Sequence, residues 1–99
     1  MNIIKKIAES IKSFVSTDFK PASGKILIWD VVEGPFNRED FPAEEIDDKI
    51  PEDMQAMIVV KISQDDKVGI INLWQPTFND AYEIQKYFKS NIEPLELEL

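Results

Sequence analysis

The chain contains no cysteine and no histidine, and only three glycines, Gly24, Gly34 and Gly69. Without cysteine there are neither disulfides nor thiolate metal sites. Without histidine, Ser-His and Cys-His nucleophile pairs and imidazole metal ligands are excluded. The three glycines are too far apart to form a phosphate-cradling loop. Apolar runs last only a few residues, well short of a membrane-spanning helix. Residues 1–15 are interrupted by Lys5, Lys6, Glu9 and Lys12, unlike the apolar centre of a secretory signal. A cytoplasmic address is the expectation that survives. The remaining catalytic option is a carboxylate pair of the glycosidase kind. A single domain of 99 residues has little room for a cleft beside its core, because a chain this short buries only roughly 60–70% of its unfolded surface. No enzyme activity and no cofactor are expected.

What the chain has in excess is negative charge, and the excess is local. Residues 1–32 carry five lysines against Glu9, Asp18 and Asp30, a net +2. Residues 33–57 carry nine acids against Arg38 and Lys49, a net −7, and residues 58–99 carry seven acids against four lysines, a net −3. An overall charge of −8 with no basic stripe argues against direct nucleic-acid binding, which requires cations to meet phosphates.

The periodicity of the rest predicts an α+β domain. Residues 2–16 read as an amphipathic helix, with Ile4, Ile7, Ile11 and Phe14 on one face and lysines on the other. Such a helix could lie on an anionic membrane, but with three lysines and no interfacial tryptophan a core role is expected, and no membrane contact. Residues 25–32, KILIWDVV, predict a strand ending at the breaker cluster Glu33-Gly34-Pro35. Leu27, Trp29 and Val31 form a wholly apolar face, expected to meet the helices. Ile26, Ile28, Asp30 and Val32 form the other.

Residues 56–63 and 68–74 flank a short polar gap and predict a hairpin. A two- or four-residue loop sets Ile62 opposite Gly69, Val60 opposite Ile71 and Ile58 opposite Leu73 on the inward face. The outward pairs are then Met57 with Trp74, Val59 with Asn72, Lys61 with Ile70 and Ser63 with Val68. A three-residue loop would bring Asn72 into the core. Residues 77–89 predict a second helix capped by Thr77, with Phe78, Ala81, Tyr82, Ile84 and Phe88 on one stripe and Gln85 within it. The tail PLELEL alternates and can add an edge strand or fray. The expected order is α-β-acidic connector-β-β-α: an antiparallel sheet of three strands, or four with the tail, and both terminal helices on one face. No internal repeat is evident.

The connector carries the functional question. FNREDFPAEEIDDKIPEDM, residues 36–54, holds eight carboxylates and two basic side chains, yet Phe36, Phe41, Ile46, Ile50 and Met54 recur through it. Its adjacent acid pairs, two prolines and lack of glycine do not fit a calcium loop, which needs alternating ligands and a sharp turn. No metal site is expected. The preferred reading is a folded lid over the outward sheet face, with its acids in water; a mobile acidic loop is the alternative. A field this dense acts collectively within a Debye length of about 8 Å and steers basic partners. The expected function is therefore a protein-binding module, an inhibitor or antagonist of a basic protein. Immunity proteins and nucleic-acid mimics are analogies of function here, since rows of carboxylates can stand in for phosphates. The candidate contacts are Glu39, Asp40, Glu44, Glu45, Asp47, Asp48, Glu52 and Asp53, with Trp74 either as an aromatic anchor or as a core residue. The competing expectation is a structural component that buries its outward sheet face against a second copy as a homodimer.

Overall fold

The computed structural model describes Lys5, Ile7, Ile11 and residues 21–98. Strand β1 runs Lys25–Asn37, β2 Ala56–Gln64, β3 Lys67–Gln75 and β4 Leu95–Glu98, with helix α1, Phe78–Ser90, between β3 and β4. The strands form one antiparallel sheet in the order β3-β2-β1-β4. The fold is α+β, and the LELE tail supplies the fourth strand. Lys5, Ile7 and Ile11 are helical, and both isoleucines are buried in the core. The remainder of the helix expected over 2–16 lies outside the described residues.

The hairpin follows the side-chain pattern. A two-residue loop, Asp65-Asp66, joins β2 to β3, with Asp65 at φ 54°, a left-handed conformation that aspartate tolerates better than most residues. Ile62 faces Gly69, Val60 faces Ile71 and Ile58 faces Leu73 on the inward side. These residues join Ile26, Ile28, Ala81, Ile84, Phe88 and Leu97 in the main core.

β1 departs from expectation in two ways. It does not stop at Glu33-Gly34-Pro35 but continues to Asn37, and its faces are reversed at the start. Ile26 and Ile28 are buried in the main core, whereas Trp29 is 42% exposed and donates from Nε1 to Ser63 Oγ at 2.9 Å. The cause is a series of bulges. Ile28 pairs with Ile62 and Asp30 with Lys61, so Trp29 is an extra residue; Val31 pairs with Val60 and Glu33 with Val59, so Val32 is another. A third irregularity spans Gly34 and Pro35, neither of which has a ladder partner on β2, so the proline's missing N–H leaves no bond unmade. Each bulge resets the inside-outside alternation, which lets Ile28 point inward and Asp30 outward. Gly34 sits at φ +100°, and a Cβ there would lie 3.0 Å from the Met57 carbonyl oxygen. Glycine is required.

α1 starts at a cap in which Thr77 Oγ1 accepts from the Asp80 N–H at 3.1 Å and donates to Asp80 Oδ2 at 2.9 Å. Its buried stripe is narrower than the sequence implies. Ala81, Ile84 and Phe88 are buried; Phe78 and Tyr82 are exposed, because the helix lies chiefly over β1 and leaves that flank uncovered. Tyr87, on the other flank, packs partly into the core and meets Phe88 edge-on. Gln85 is polar for a specific reason. Its Nε2 donates to the Gly34 carbonyl at 2.7 Å, satisfying an acceptor that the third β1 irregularity leaves outside the ladder.

The register yields a direct expectation. Trp29→Ala should cost about 1 kcal/mol or less in equilibrium denaturation, as for other half-exposed surface positions. A loss in the range of about 3–5 kcal/mol, usual for a core aromatic, would contradict the bulged register.

Candidate functional site: the acidic lid

Residues 38–54 fold back over the outward sheet face as a run of tight turns. The N–H of Phe41 bonds the Arg38 carbonyl, Ile46 bonds Ala43, Ile50 bonds Asp47 and Met54 bonds Pro51, each over three residues. The segment is thus four tetrads, REDF, AEEI, DDKI and PEDM, with Pro42 between the first and the second. In each, the fourth residue closes the turn and is apolar, while acids occupy the outer positions. This four-residue repeat is not apparent from helix or strand periodicity. It explains why the acids come in adjacent pairs: they sit at the turn tips, facing water.

The apolar fourth residues make a second core. Phe41, Ile46, Ile50 and Met54 pack with Phe36 on Met57, Val59 and Trp74, separately from the main core. Phe41 meets Phe36 and Trp74 edge-on, with centroids 5.7 and 6.5 Å apart. Trp74, expected either as an anchor for a partner or as a core residue, is 4% exposed and anchors the chain's own lid.

The lid is fastened by Arg38, the single arginine of the chain. Its backbone N–H bonds the Gln55 carbonyl at 2.8 Å. Its guanidinium donates to the carbonyls of Pro51, Met54 and Ile50 at 2.5, 3.0 and 3.3 Å, and its Cζ lies 5.7 Å from the centre of the Trp74 ring. A planar fork can serve three carbonyls and lie over an indole at once; a lysine ammonium cannot. That one arginine among eleven basic residues falls inside the most acidic stretch was the available signal. Arg38→Met should cost about 1.5–3 kcal/mol, the usual scale for hydrogen bonds from a charged donor. Arg38→Lys should recover little of it. Denaturant titration with amide exchange at Ile50 and Met54 measures both, and a loss under about 0.5 kcal/mol, the scale of ordinary surface changes, would contradict the fastening role.

All eight predicted contact acids are exposed, Glu39, Asp40, Glu44, Glu45, Asp47, Asp48, Glu52 and Asp53. Two also shape the backbone: Asp40 Oδ2 accepts from the Asn37 N–H at 3.1 Å, and Asp47 Oδ1 from the Lys49 N–H at 2.9 Å. Among the described residues, none of the eight forms an ion pair; the pair that is present, Lys25 with Glu96 at 3.3 Å, lies at the far edge of the sheet. Among the described residues, no three acids converge on a common metal position, and no helix is long and apolar enough to cross a membrane.

The lid covers only part of the outward face. Trp29, Val32, Val68 and Ile70 remain exposed at the hairpin end, Val68 at 63% and Ile70 at 53%. An open depression of about 380 Å³ lies elsewhere, at the turn from α1 to β4, lined by Tyr87, Asn91, Ile92 and Glu93 among others. Compared with known proteins, the chain has no significant match to a family model, a curated protein or a solved structure.

Proposed function

We propose that the chain is a non-catalytic acidic binding module that engages a basic protein through the lid, as an inhibitor or antagonist of a partner whose own ligand is polyanionic. The observation that supports this reading is the state of the lid carboxylates. They are exposed, they are unneutralised by described cations, and they stand on a backbone fixed by turn hydrogen bonds and by Arg38. Charge that serves solubility alone gains nothing from being held in place. Charge that must match a cationic surface does, because a preorganised array loses less entropy on binding. If the partner binds nucleic acid, the lid competes with phosphates for the same groove.

Differential capture tests this function. Wild-type chain and a variant with Glu44→Gln, Glu45→Gln, Asp47→Asn and Asp48→Asn are used as parallel baits. The expected catch is a Lys/Arg-rich protein that the wild type retains, that the variant loses, and that raised salt elutes. Equal retention by both baits would overturn it. A second reading is supported by the exposed Trp29, Val32, Val68 and Ile70: a homo-oligomer joined through that face. Solution mass separates the two, since the first requires no dimer and the second does.

A further inference from the structure

The lid stops short of the hairpin. On the outward face β2 and β3 pair Met57 with Trp74, Val59 with Asn72, Lys61 with Ile70 and Ser63 with Val68, in that order toward the turn. The lid's apolar residues pack on Met57, Val59 and Trp74, at the far end of that series. Beyond them Val68 and Ile70 are exposed, as are Trp29 and Val32 on β1. The Trp29 indole reaches Ser63, and Ser63 faces Val68. Val32 is the extra residue beside Glu33, which pairs with Val59 under the lid. Lys61 lies in the ladder between Asp30 and Ile70, and a lysine stem adds apolar surface beneath its charged head. The four apolar side chains therefore form one patch that begins where the lid ends.

Two features separate this patch from scattered surface hydrophobics. The first is Trp29. A bulge turns it out of the main core, and its Nε1 donates to Ser63 Oγ at 2.9 Å, so a large aromatic surface is exposed in a fixed orientation. An indole held this way loses little freedom when a partner covers it, and tryptophan is among the side chains most enriched at the energetic centres of interfaces. The second is the rim. Asp30, Glu33, Asp65 and Asp66 are exposed around the patch, against Lys61 and Lys67, and the lid's acids continue the negative border. An apolar centre inside a charged border is the anatomy of a specific interface.

The border also selects the occupant. A two-fold contact through this face either brings two lids together or sets each lid against the other copy's Asp65-Asp66 turn. Both arrangements place acids on acids. Charge complementarity selects instead a basic surface with an apolar side chain standing among its lysines and arginines.

We infer that Trp29, Val32, Val68 and Ile70 are the anchoring half of the partner-binding surface. The basic partner seats an aromatic or aliphatic side chain on this patch, while its flanking cations meet the acids of the rim and lid. The inference rests on the acidic-module reading and assigns two roles within it: charge sets the rate of approach, and the patch sets the residence time.

The experiment uses the full chain and three synthetic peptides: lysine triplets flanking Leu-Trp-Leu, the same triplets flanking Ser-Gly-Ser, and glutamate triplets flanking Leu-Trp-Leu. Binding is followed by backbone amide shifts in NMR titrations across a salt series. The first peptide should shift amides of residues 29–32 and 68–70 together with those of the lid, and bind about tenfold tighter than the second. The third should not bind. Trp29→Ala and Ile70→Ser, both at exposed positions and checked by thermal melting, should each weaken the first peptide about tenfold at every salt concentration, with its salt dependence unchanged. The four-fold lid variant should do the opposite, weakening that peptide mainly at low salt and flattening the dependence. If Trp29→Ala weakens binding while the lid variant matches wild type, the patch stands and the lid's steering role falls. The inference is overturned by equal affinity for the two lysine peptides with shifts confined to residues 38–54, which leaves the lid as the whole site. Wild-type affinity in both patch variants would also overturn it, as would a glutamate peptide that binds as tightly as its lysine counterpart, or no binding of any peptide. A doubled solution mass that Ile70→Ser abolishes would give the patch to a second copy instead.

Discussion

Trp74→Ala is expected to destabilise the domain by about 3–5 kcal/mol, the range for removing a large buried aromatic. The side chain is 4% exposed and stands at the centre of the second core, opposite Met57, under Arg38 and edge-on to Phe41. This core is small: Ile50, Met57, Val59 and Trp74 are its buried members, and no described helix closes it. Little can collapse into the space a missing indole leaves. Total stabilities of domains this size are about 5–15 kcal/mol, so the loss is a large fraction. It should also have a distinct pattern. Amides of residues 41–54 should lose exchange protection well before those of Ile58–Ile62 and Ile71–Leu73, because the main core does not use Trp74. Denaturant midpoints and native-state exchange measure the two parts. A loss below about 1 kcal/mol would mean that the lid does not depend on the indole.

Neutralising Glu44, Glu45, Asp47 and Asp48 together is expected to do the reverse: leave stability unchanged within about 0.5 kcal/mol or raise it slightly, and slow association with the proposed basic partner by about tenfold or more. None of the four is in an ion pair among the described residues. The one structural bond at risk is that from the Lys49 N–H to Asp47 Oδ1, which the Asn side-chain oxygen can accept equally. Folding therefore loses nothing, while like-charge repulsion between neighbouring turn tips is relieved. Association loses four of the eight charges that set the field. A variant that unfolds would show that the acids hold the lid down, against the geometry of the tetrads.

The sequence made some of this fold legible and hid the rest for physical reasons. The hairpin could be read because β2 and β3 alternate without interruption, and one parity kept Asn72 out of the core. Helix α1 could be read from its cap and its 3.6-residue stripe, though not the stripe's width, which depends on where the helix lies over the sheet. The facing of β1 could not be read, because KILIWDVV is apolar on both faces and its bulges at Trp29 and Val32 break the two-residue period. One clue was present: Asp30 shares parity with Ile26 and Ile28, and a bulge resolves that conflict. Gln85, inside an apolar stripe, likewise marked an unpaired carbonyl elsewhere, that of Gly34. The lid was legible as a cover, from acids alternating with large apolar residues, but not as four turns, because a four-residue repeat matches neither helix nor strand. The sequence left Trp74 open between anchor and core and gave Arg38 no role; only the fold shows them pinned together beneath and within the lid.

The most direct test of the proposed acidic module is its association rate with a protein isolated by the differential capture, followed by stopped flow from about 50 to 300 mM salt, a range over which Debye screening changes substantially. The wild-type rate should fall steeply with salt while the dissociation rate changes little, and the four-fold variant should start slower with a shallower slope. Equal rates for wild type and variant, or a wild-type rate indifferent to salt, would contradict a steering role for the lid.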